Sequence, residues 1–478
     1  MGFIQKVKGF HRSFWAANTM ELFERWAFYG IFLVIALYLT GPKETGALEF
    51  SQTQKGLIMG IVTAILYFLP LFTGAIADNI GYKKSLLVSQ IILATGYGLM
   101  GYFTSFSGVF IAFLYIAIGA ALFKPIIAAT ITKTTNSENS TLGFGIYYMI
   151  INIGAFIAPL IASKLRQHDW KLVFICSSLA ICANIIILLF FYKEPPREEK
   201  KEPLGKQLKS ILSNSFHVFG DLRLVLLLII IVGFWSVYWQ LFFTIPSFVD
   251  QWVNTHPAYL GLAHISPVLA SILGFANGTI PPEIIINIDA AFIICFQIVV
   301  SYYSGKLKPL HGILLGLMVN TTGMFLAFST GNVWLVMLSV AIAAFGEMMT
   351  SPRIIEYLGR IAPEGRTAAY IGSSYMPMSL GNLAAVFLSG SIYESMSDKY
   401  TLLRREFAYR LPDLMIPKGN TELVKVFSNK TGLSIQQIDN LLWIKYHPQN
   451  IAYIFLAIGV FTAILLLLYN KFIVKTVK

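Results

Sequence analysis

Apolar runs of about 20 residues recur along this chain of 478 residues, separated by short clusters of charge, glycine and proline. A helix rises 1.5 Å per residue, so about 20 residues cross a hydrocarbon layer roughly 30 Å thick. In lipid each segment must satisfy its own backbone N–H and C=O groups, which leaves the helix as the form for isolated apolar runs. The runs predict about twelve spans, at 14–40, 54–77, 85–104, 108–132, 142–163, 171–192, 222–249, 284–303, 312–329, 333–358, 368–392 and 451–470. Composition argues the same way. Hydrophobic residues make up 56% and charged residues 13%, against about 25% charged in soluble domains. The expected partner of the surface is therefore the lipid bilayer.

The net charge of +12 does not point to nucleic acid, because the lysines and arginines fall mainly between the apolar runs, as topology signals do. Lys6, Lys8, Arg12, Lys471, Lys475 and Lys478 flank the two ends. Lys83, Lys84, the Lys193–Lys209 stretch, Lys306, Lys308, Arg360 and Arg366 lie on the same side if the spans number twelve; Lys164, Arg166 and Lys171 run against the trend. Both termini are expected in the cytoplasm of a multi-pass protein of the cell (inner or plasma) membrane. Cys176, Cys182 and Cys295 all lie inside apolar runs, so no disulfide framework is expected. The segment from Met1 to Arg12 leads into a charged helix and does not read as a cleavable signal.

The connection 193–221 opens on Lys193-Glu-Pro-Pro-Arg-Glu-Glu-Lys-Lys201 and divides the spans six and six, with a short amphipathic helix expected after it. The chain thus reads as an N-terminal six-helix bundle (1–192), a cytoplasmic linker (193–221) and a C-terminal six-helix bundle (222–478). Two insertions interrupt the last part, at about 250–282 and 393–449, and the second is long enough for a small extracytoplasmic subdomain. An all-α polytopic membrane protein with 12 transmembrane helices in two six-helix bundles has the outline of the major facilitator fold.

A loop motif sharpens that outline. Gly74-Ala-Ile-Ala-Asp78-Asn-Ile-Gly81-Tyr-Lys83-Lys84 closes the second span. It resembles the G-x-x-x-D-x-x-G-x-R/K-R/K signature of the major facilitator superfamily, in the expected loop between spans two and three. A weaker echo, Gly359 to Arg366, follows the tenth span.

Charges inside apolar runs are the next constraint. Glu21, Glu24 and Arg25 share one face of the first span by their spacing of three and four. Lys124 lies in the fourth span, Asp289 in the eighth and Glu347 in the tenth. Each such group costs roughly 2.5–3.5 kcal/mol at mid-bilayer, so the six are expected to face one another or water. Intramembrane charges of this kind mark substrate or proton pathways.

Glu21-Leu-Phe-Glu24-Arg25-Trp-Ala-Phe-Tyr29-Gly30 resembles the E-x-x-E-R-F-x-Y-Y-G motif of the proton-dependent oligopeptide transporters (the POT or PTR family). Lys124-Pro125 is similar to that family's fourth-helix pair, and Tyr147-Tyr-Met-Ile-Ile-Asn152-Ile-Gly154 to its F-Y-x-x-I-N-x-G pattern. Phe234-Trp235 with Gln240, and Gly346-Glu347-x-x-x-Ser351-Pro352, resemble F-W-x-x-x-x-Q and G-E-x-x-x-S-P. The resemblance implies that Arg25 and Lys124 hold a peptide carboxylate, and that Asn152, Asn287 and Glu347 receive its amino terminus. It implies that Tyr29, Tyr67 and Trp235 line side-chain pockets, and that Glu21 and Glu24 couple proton movement to the Arg25 and Lys124 charges. A zwitterion needs one pole of each sign, and the chain carries intramembrane cations in its N-half and acids in its C-half.

Some positions depart from the pattern. Tyr238-Trp239 stands where the family carries an acid before the seventh-helix Gln, and Asn287-Ile288-Asp289 stands in place of Asn-Pro. Asp289 is expected to take over the missing acid as a proton site or gate partner. Arg353 and Glu356, three residues apart after Ser351, are expected to form either a cytoplasmic gate pair or a surface pair. The expected function is a proton-coupled symporter importing di- or tripeptides or similar small zwitterions. The alternative is a major facilitator carrier for a non-peptide solute such as a drug, sugar, nucleoside or amphiphile. The seven histidines are scattered at span edges and loops, so neither an enzyme nor a metal centre is expected. Protons are the expected coupling ion, with no cofactor, and a monomer is the expected state.

Overall fold

A computed structural model of the protein describes residues 9–136, 139–196, 205, 220–363 and 367–474. Among these the regular structure is helical, apart from one isolated bridge between Asn254 and Asn332. The first helices are α1 (Arg12–Phe32), α2 (Ile35–Thr40), α3 (Gln52–Phe68), α4 (Pro70–Ile80), α5 (Tyr82–Met100), α6 (Phe106–Lys133), α7 (Ser140–His168) and α8 (Trp170–Phe190). After the linker come α9 (Leu222–Tyr238), α10 (Gln240–Phe243), α11 (Ile245–Trp252), α12 (His256–Ile265), α13 (Pro267–Leu273), α14 (Pro282–Ile286), α15 (Ile288–Ser304), α16 (Pro309–Phe328) and α17 (Val333–Ile361). The last are α18 (Thr367–Gly372), α19 (Tyr375–Phe387), α20 (Tyr393–Met396), α21 (Lys399–Arg410), α22 (Asn420–Thr431), α23 (Ile435–Tyr446) and α24 (Ile451–Leu468).

Nine helical stretches among the described residues are long and apolar enough to cross a membrane, or ten if the bent pair α3–α4 is one span. Helices also occupy 82–100 and 367–396, where the apolar pattern places further spans. Large apolar side chains point outward in number: Ile111, Leu179, Ile298 and Phe461 are each more than 60% exposed. On a water-facing protein that surface would be an aggregation hazard, whereas lipid accepts it. The protein is a multi-pass membrane protein.

Several expected spans are broken, and proline accounts for part of this. Pro70 begins α4, where its missing N–H and its ring interrupt the ladder from α3, and the axis bends by 50°. Pro246 stands second in α11 and Pro282 begins α14. The break between α9 and α10 is sealed by Gln240, which donates to the Ser236 carbonyl at 2.8 Å and accepts from the Thr244 hydroxyl at 2.6 Å.

The contacts gather into two compact units. One draws on Met1–Ile31, Val62–Val225 and Pro363–Ser379, the other on Phe32–Ile61, Leu226–Ala362 and Leu380–Lys478. This grouping differs from the linear division at the linker, because the first span passes from one unit to the other beside its break and the second within α3. The first unit has a core of Phe14, Met20, Leu86, Phe123, Ile127 and Leu188, and α5 packs against both α6 and α8. The second is built on α16 and α17, packed along their length, with α15 and α24 against them. The insertion after α20 is a three-helix subdomain, α21 to α23, closed over Leu402, Phe407, Leu423, Phe427, Ile438 and Leu442. Of the linker, residues 193–196 form no helix or strand, and the amphipathic helix expected after them lies outside the described residues.

Candidate functional site

The first unit holds the charged face of α1. Arg25 Nε donates to Glu24 Oε2 at 2.6 Å, and Glu21 Oε1 lies at 3.3 Å from the same nitrogen. All three side chains are buried, Glu24 completely. Charges removed from water must be paired to be tolerable, and one guanidinium with two carboxylates on adjacent turns does this within a single helix. The guanidinium also lies over the rings of Phe28 and Tyr29, at 5.2 and 5.8 Å.

Lys124 on α6 extends the cluster. Its ammonium sits 4.8 Å from the Tyr67 ring centroid and 5.8 Å from that of Phe28, and it closes no ion pair within 4 Å among the described residues. Pro125 beside it has no N–H, so the carbonyl four residues back, Ala121, lacks its helical donor. Thr73 of α4 supplies one, its hydroxyl donating to that carbonyl at 2.7 Å. The Lys-Pro pair therefore does two jobs at once, presenting a cation and opening a docking point for α4. Thr73 was not legible as functional, since its role depends on a carbonyl 48 residues away.

The α7 motif contributes through its glycine. A Cβ on Gly154 would lie 2.9 Å from both Arg25 Cβ and the Leu22 carbonyl, so only glycine lets α7 approach the charged turn of α1. Asn152 is turned onto its own helix, its amide donating to the Tyr148 carbonyl at 2.8 Å. Tyr97 and Tyr147 are electrostatic neighbours of the same cluster.

The second unit carries acids. Asp289 lies in the first turn of α15, just past Asn287, where α14 ends; both are buried. Glu347 on α17 is the charged group that acts on Asp289, and it accepts a hydrogen bond from the Ser351 hydroxyl at 3.3 Å. Among the described residues neither carboxylate has a lysine or arginine within 4 Å. Gly346 permits this placement, because a Cβ there would fall 2.3 Å from the Asn320 backbone nitrogen of α16. Trp235 packs in an aromatic run with Phe234, Tyr238 and Trp239, at centroid distances of 5.2, 5.4 and 6.3 Å.

Arg353 is buried and Glu356 only partly so: Arg353 pairs with Glu356 and donates to the Ser304 carbonyl at the end of α15, with Gly312 of α16 against its stem. Glu356 also meets Arg360 at 2.5 Å. The loop signature is built locally. Gly81 takes a φ of +109°, Asp78 accepts from the Tyr82 hydroxyl at 3.0 Å, and Gly74 lies beside Pro125. Glu194 accepts from the backbone nitrogens of Tyr82 and Lys83 at 2.8 and 3.4 Å, capping α5. Lys83 donates to the Leu189 and Tyr192 carbonyls, and Lys84 is exposed.

Comparison with known proteins agrees with this architecture. The family model described as Major Facilitator Superfamily matches residues 14–280, more than half of the chain. The peptide transporter YePEPT of Yersinia enterocolitica is 32% identical over 161 residues, covering 32% of this chain and 31% of that protein. Dipeptide and tripeptide permease B of Salmonella typhimurium is 34% identical over 161 residues, 32% of each chain. The matched stretch spans about a third of the length of these curated relatives. Among solved structures, the peptide transporter POT in complex with sulfate superposes with a TM-score of 0.69 at 15% identity, over 96% of this chain and 94% of that one. A POT family transporter in complex with 5-aminolevulinic acid superposes with a TM-score of 0.67 at 17% identity, over 98% and 97%. The chain belongs to the major facilitator superfamily.

Proposed function

We propose that this protein is a proton-coupled symporter that carries di- or tripeptides or similar small zwitterions by alternating access. The observation that supports this best is the charge cluster of α1: an arginine held by two glutamates at 2.6 and 3.3 Å with a second cation, Lys124, close by. A proton taken up by Glu21 or Glu24 weakens the hold on Arg25 and frees a cationic pole for a substrate carboxylate. Closure follows, and proton release restores the ion pairs. Glu347, with Asp289 as its electrostatic neighbour and Asn287 two residues before Asp289, offers an anionic pole for an ammonium group. Tyr29, Tyr67 and Trp235 contribute aromatic surface for a substrate body. At about 2.3 kcal/mol per charge per 100 mV, one proton supplies useful driving force. The names of the relatives, which include di- and tripeptide permeases, support the same cargo class. The termini lie in the cytoplasm of the cell membrane and the working unit is a monomer on this reading.

The aromatic run that replaces the seventh-helix acid favours a second reading, a carrier for a small non-peptide solute with an apolar body. One experiment separates the two. Purified protein in liposomes with an inward proton gradient is given dialanine, trialanine, 5-aminolevulinic acid and a panel of sugars, nucleosides and cationic drugs. Dialanine uptake that collapses with a protonophore supports peptide symport. Gradient-driven uptake of one non-peptide compound alone favours the second reading, and no uptake of any compound rejects both.

A further inference from the structure

The segment from 32 to 61 is held in the second unit by a set of polar ties, four of them to Glu394, Asp398, Asn420 and Thr421 of the 393–449 insertion. The Glu394 carboxylate accepts from the Thr53 backbone nitrogen at 2.6 Å, in the first turn of α3. Asp398 accepts from Gln52 at 2.9 Å and from Gln251 at 2.8 Å. Glu49 accepts from the Asn420 backbone nitrogen in the first turn of α22, and Glu44 from the Thr421 hydroxyl at 2.8 Å. Lys55, completely buried, donates to the Phe243 carbonyl at the end of α10 at 2.8 Å and lies over the Tyr393 ring.

Three further features bear on what these ties are for. The held segment begins at the break between α1 and α2 and ends ahead of the 50° bend between α3 and α4, so it has a flexion point at each side. Opposite Gly56, where a Cβ would lie 2.6 Å from the Val386 carbonyl, the chain after α19 runs as a π-turn with Gly390 outside helical geometry, at φ −95° and ψ −106°. Such turns are frequent at functional sites within helices. Finally, a cavity of about 590 Å³ lies in the seam, lined by residues of both sides, among them Lys43, Glu49, Gln52, Glu394, Arg404 and Asn420. Its acids and Arg404 already hydrogen-bond within the protein, so it reads as a seam and not as a ligand pocket. The ties of Glu44, Glu49 and Glu394 are exposed or only partly buried and can be exchanged for water, whereas those of Asp398 and Lys55 are buried.

We infer that the insertion 393–449 is a latch, which holds the 32–61 segment against α10 and α11 at the end of the spans opposite the termini and releases it once per transport cycle. This inference rests on the transport reading for its place in a cycle, but the motion can be read without any substrate. Spin labels on Glu44→Cys and Thr421→Cys, in a background with Cys176, Cys182 and Cys295 changed to serine, report the latch distance in lipid nanodiscs. The expected result is a short and a long population, with Glu394→Gln plus Asp398→Asn raising the long share at least threefold. A single short distance in both proteins, under every proton condition from pH 5 to pH 8, overturns the latch. The same cysteine pair, bridged by a reducible bis-thiosulfonate reagent in proteoliposomes, is expected to lose at least nine-tenths of dialanine uptake and to regain it on reduction. Full uptake while bridged also overturns it. If the unbridged carrier moves no dialanine, the peptide reading fails and the label distances alone decide the latch.

Discussion

The two buried charge clusters differ in how their charges are balanced. In the first unit Arg25 lies against Glu21 and Glu24, and Lys124 rests on aromatic faces close by, so opposite signs neutralise one another on neighbouring turns. In the second unit Asp289 and Glu347 act on each other with a serine hydroxyl as the nearest aid. Like charges repel strongly where the dielectric is low, and a proton or a cationic group would relieve the pair. The first cluster thus carries its own counter-charges, whereas among the described residues the second has no lysine or arginine within 4 Å. Substitutions should damage the first through stability and function together, and the second through function alone.

The largest effect is expected from Arg25→Ala. It strands two buried carboxylates, and removing one partner of a buried pair costs about 3–5 kcal/mol. Thermal unfolding in detergent should fall by several degrees, and uptake should be lost by at least a hundredfold. Adding Glu21→Gln and Glu24→Gln should restore the unfolding temperature without restoring uptake. A recovery of uptake in the triple variant would show that the arginine serves only to balance the glutamates. Next comes Asp289→Asn with Glu347→Gln. Removing mutual repulsion should leave unfolding unchanged or slightly raised, while proton-driven uptake drops about tenfold or more and substrate counterflow without a gradient falls less. Intact proton-driven uptake in Asp289→Asn would remove that residue from the coupling machinery.

The glycines beneath the clusters sharpen the contrast at a smaller scale. Gly154→Ala forces a methyl against Arg25 Cβ, and Gly346→Ala forces one against the Asn320 backbone. Overpacking of this kind costs typically about 1–3 kcal/mol. Both changes also meet backbone, the Leu22 carbonyl at 2.9 Å for Gly154 and the Asn320 nitrogen at 2.3 Å for Gly346, so the closer clash at Gly346 should lower the unfolding temperature more. Equal losses would mean that the α7 contact is as rigid as the α16–α17 seam.

Much of this architecture could be read before any coordinates. Apolar runs announce helices because a bilayer demands them, and a charge such as Glu24 or Lys124 inside a run stands out because lipid penalises it. Lys55 escaped notice for the opposite reason. It sits at the edge of an apolar run, where lysines ordinarily reach water, and its burial depends on Phe243, Ser247 and Tyr393 far along the chain. Thr73 and the rotation of Asn152 onto Tyr148 were hidden in the same way, since both depend on which carbonyl is left without a donor or within reach. Proline marked the bend after α3, but nothing local marked the break between α1 and α2, where no proline stands.

The smallest effect concerns a third buried charge cluster, one balanced like the first but outside the membrane spans. Glu406 in α21 is buried, with Arg410 and Lys445 each at 2.6 Å and the Tyr446 hydroxyl at 2.8 Å. Burial acts to raise its pKa, but the hydrogen bonds from Lys445, Arg410 and Tyr446 outweigh it and hold the carboxyl below the ordinary glutamate value. A folded-state value below the unfolded one stabilises the subdomain above about pH 4.3, the ordinary value, and that contribution is lost as pH falls through the lower folded value. Its cations remain 39% exposed, so water screens the pairs and Glu406→Gln should cost only about 1–2 kcal/mol. Hydrogen exchange of α21 and α23, corrected for intrinsic rates, should show protection falling between pH 5 and pH 3 in the unaltered protein and staying flat in Glu406→Gln. A loss as large as that of Arg25→Ala would mean that hydration matters less than pairing geometry, and the distinction between the clusters would then rest on the missing cation alone.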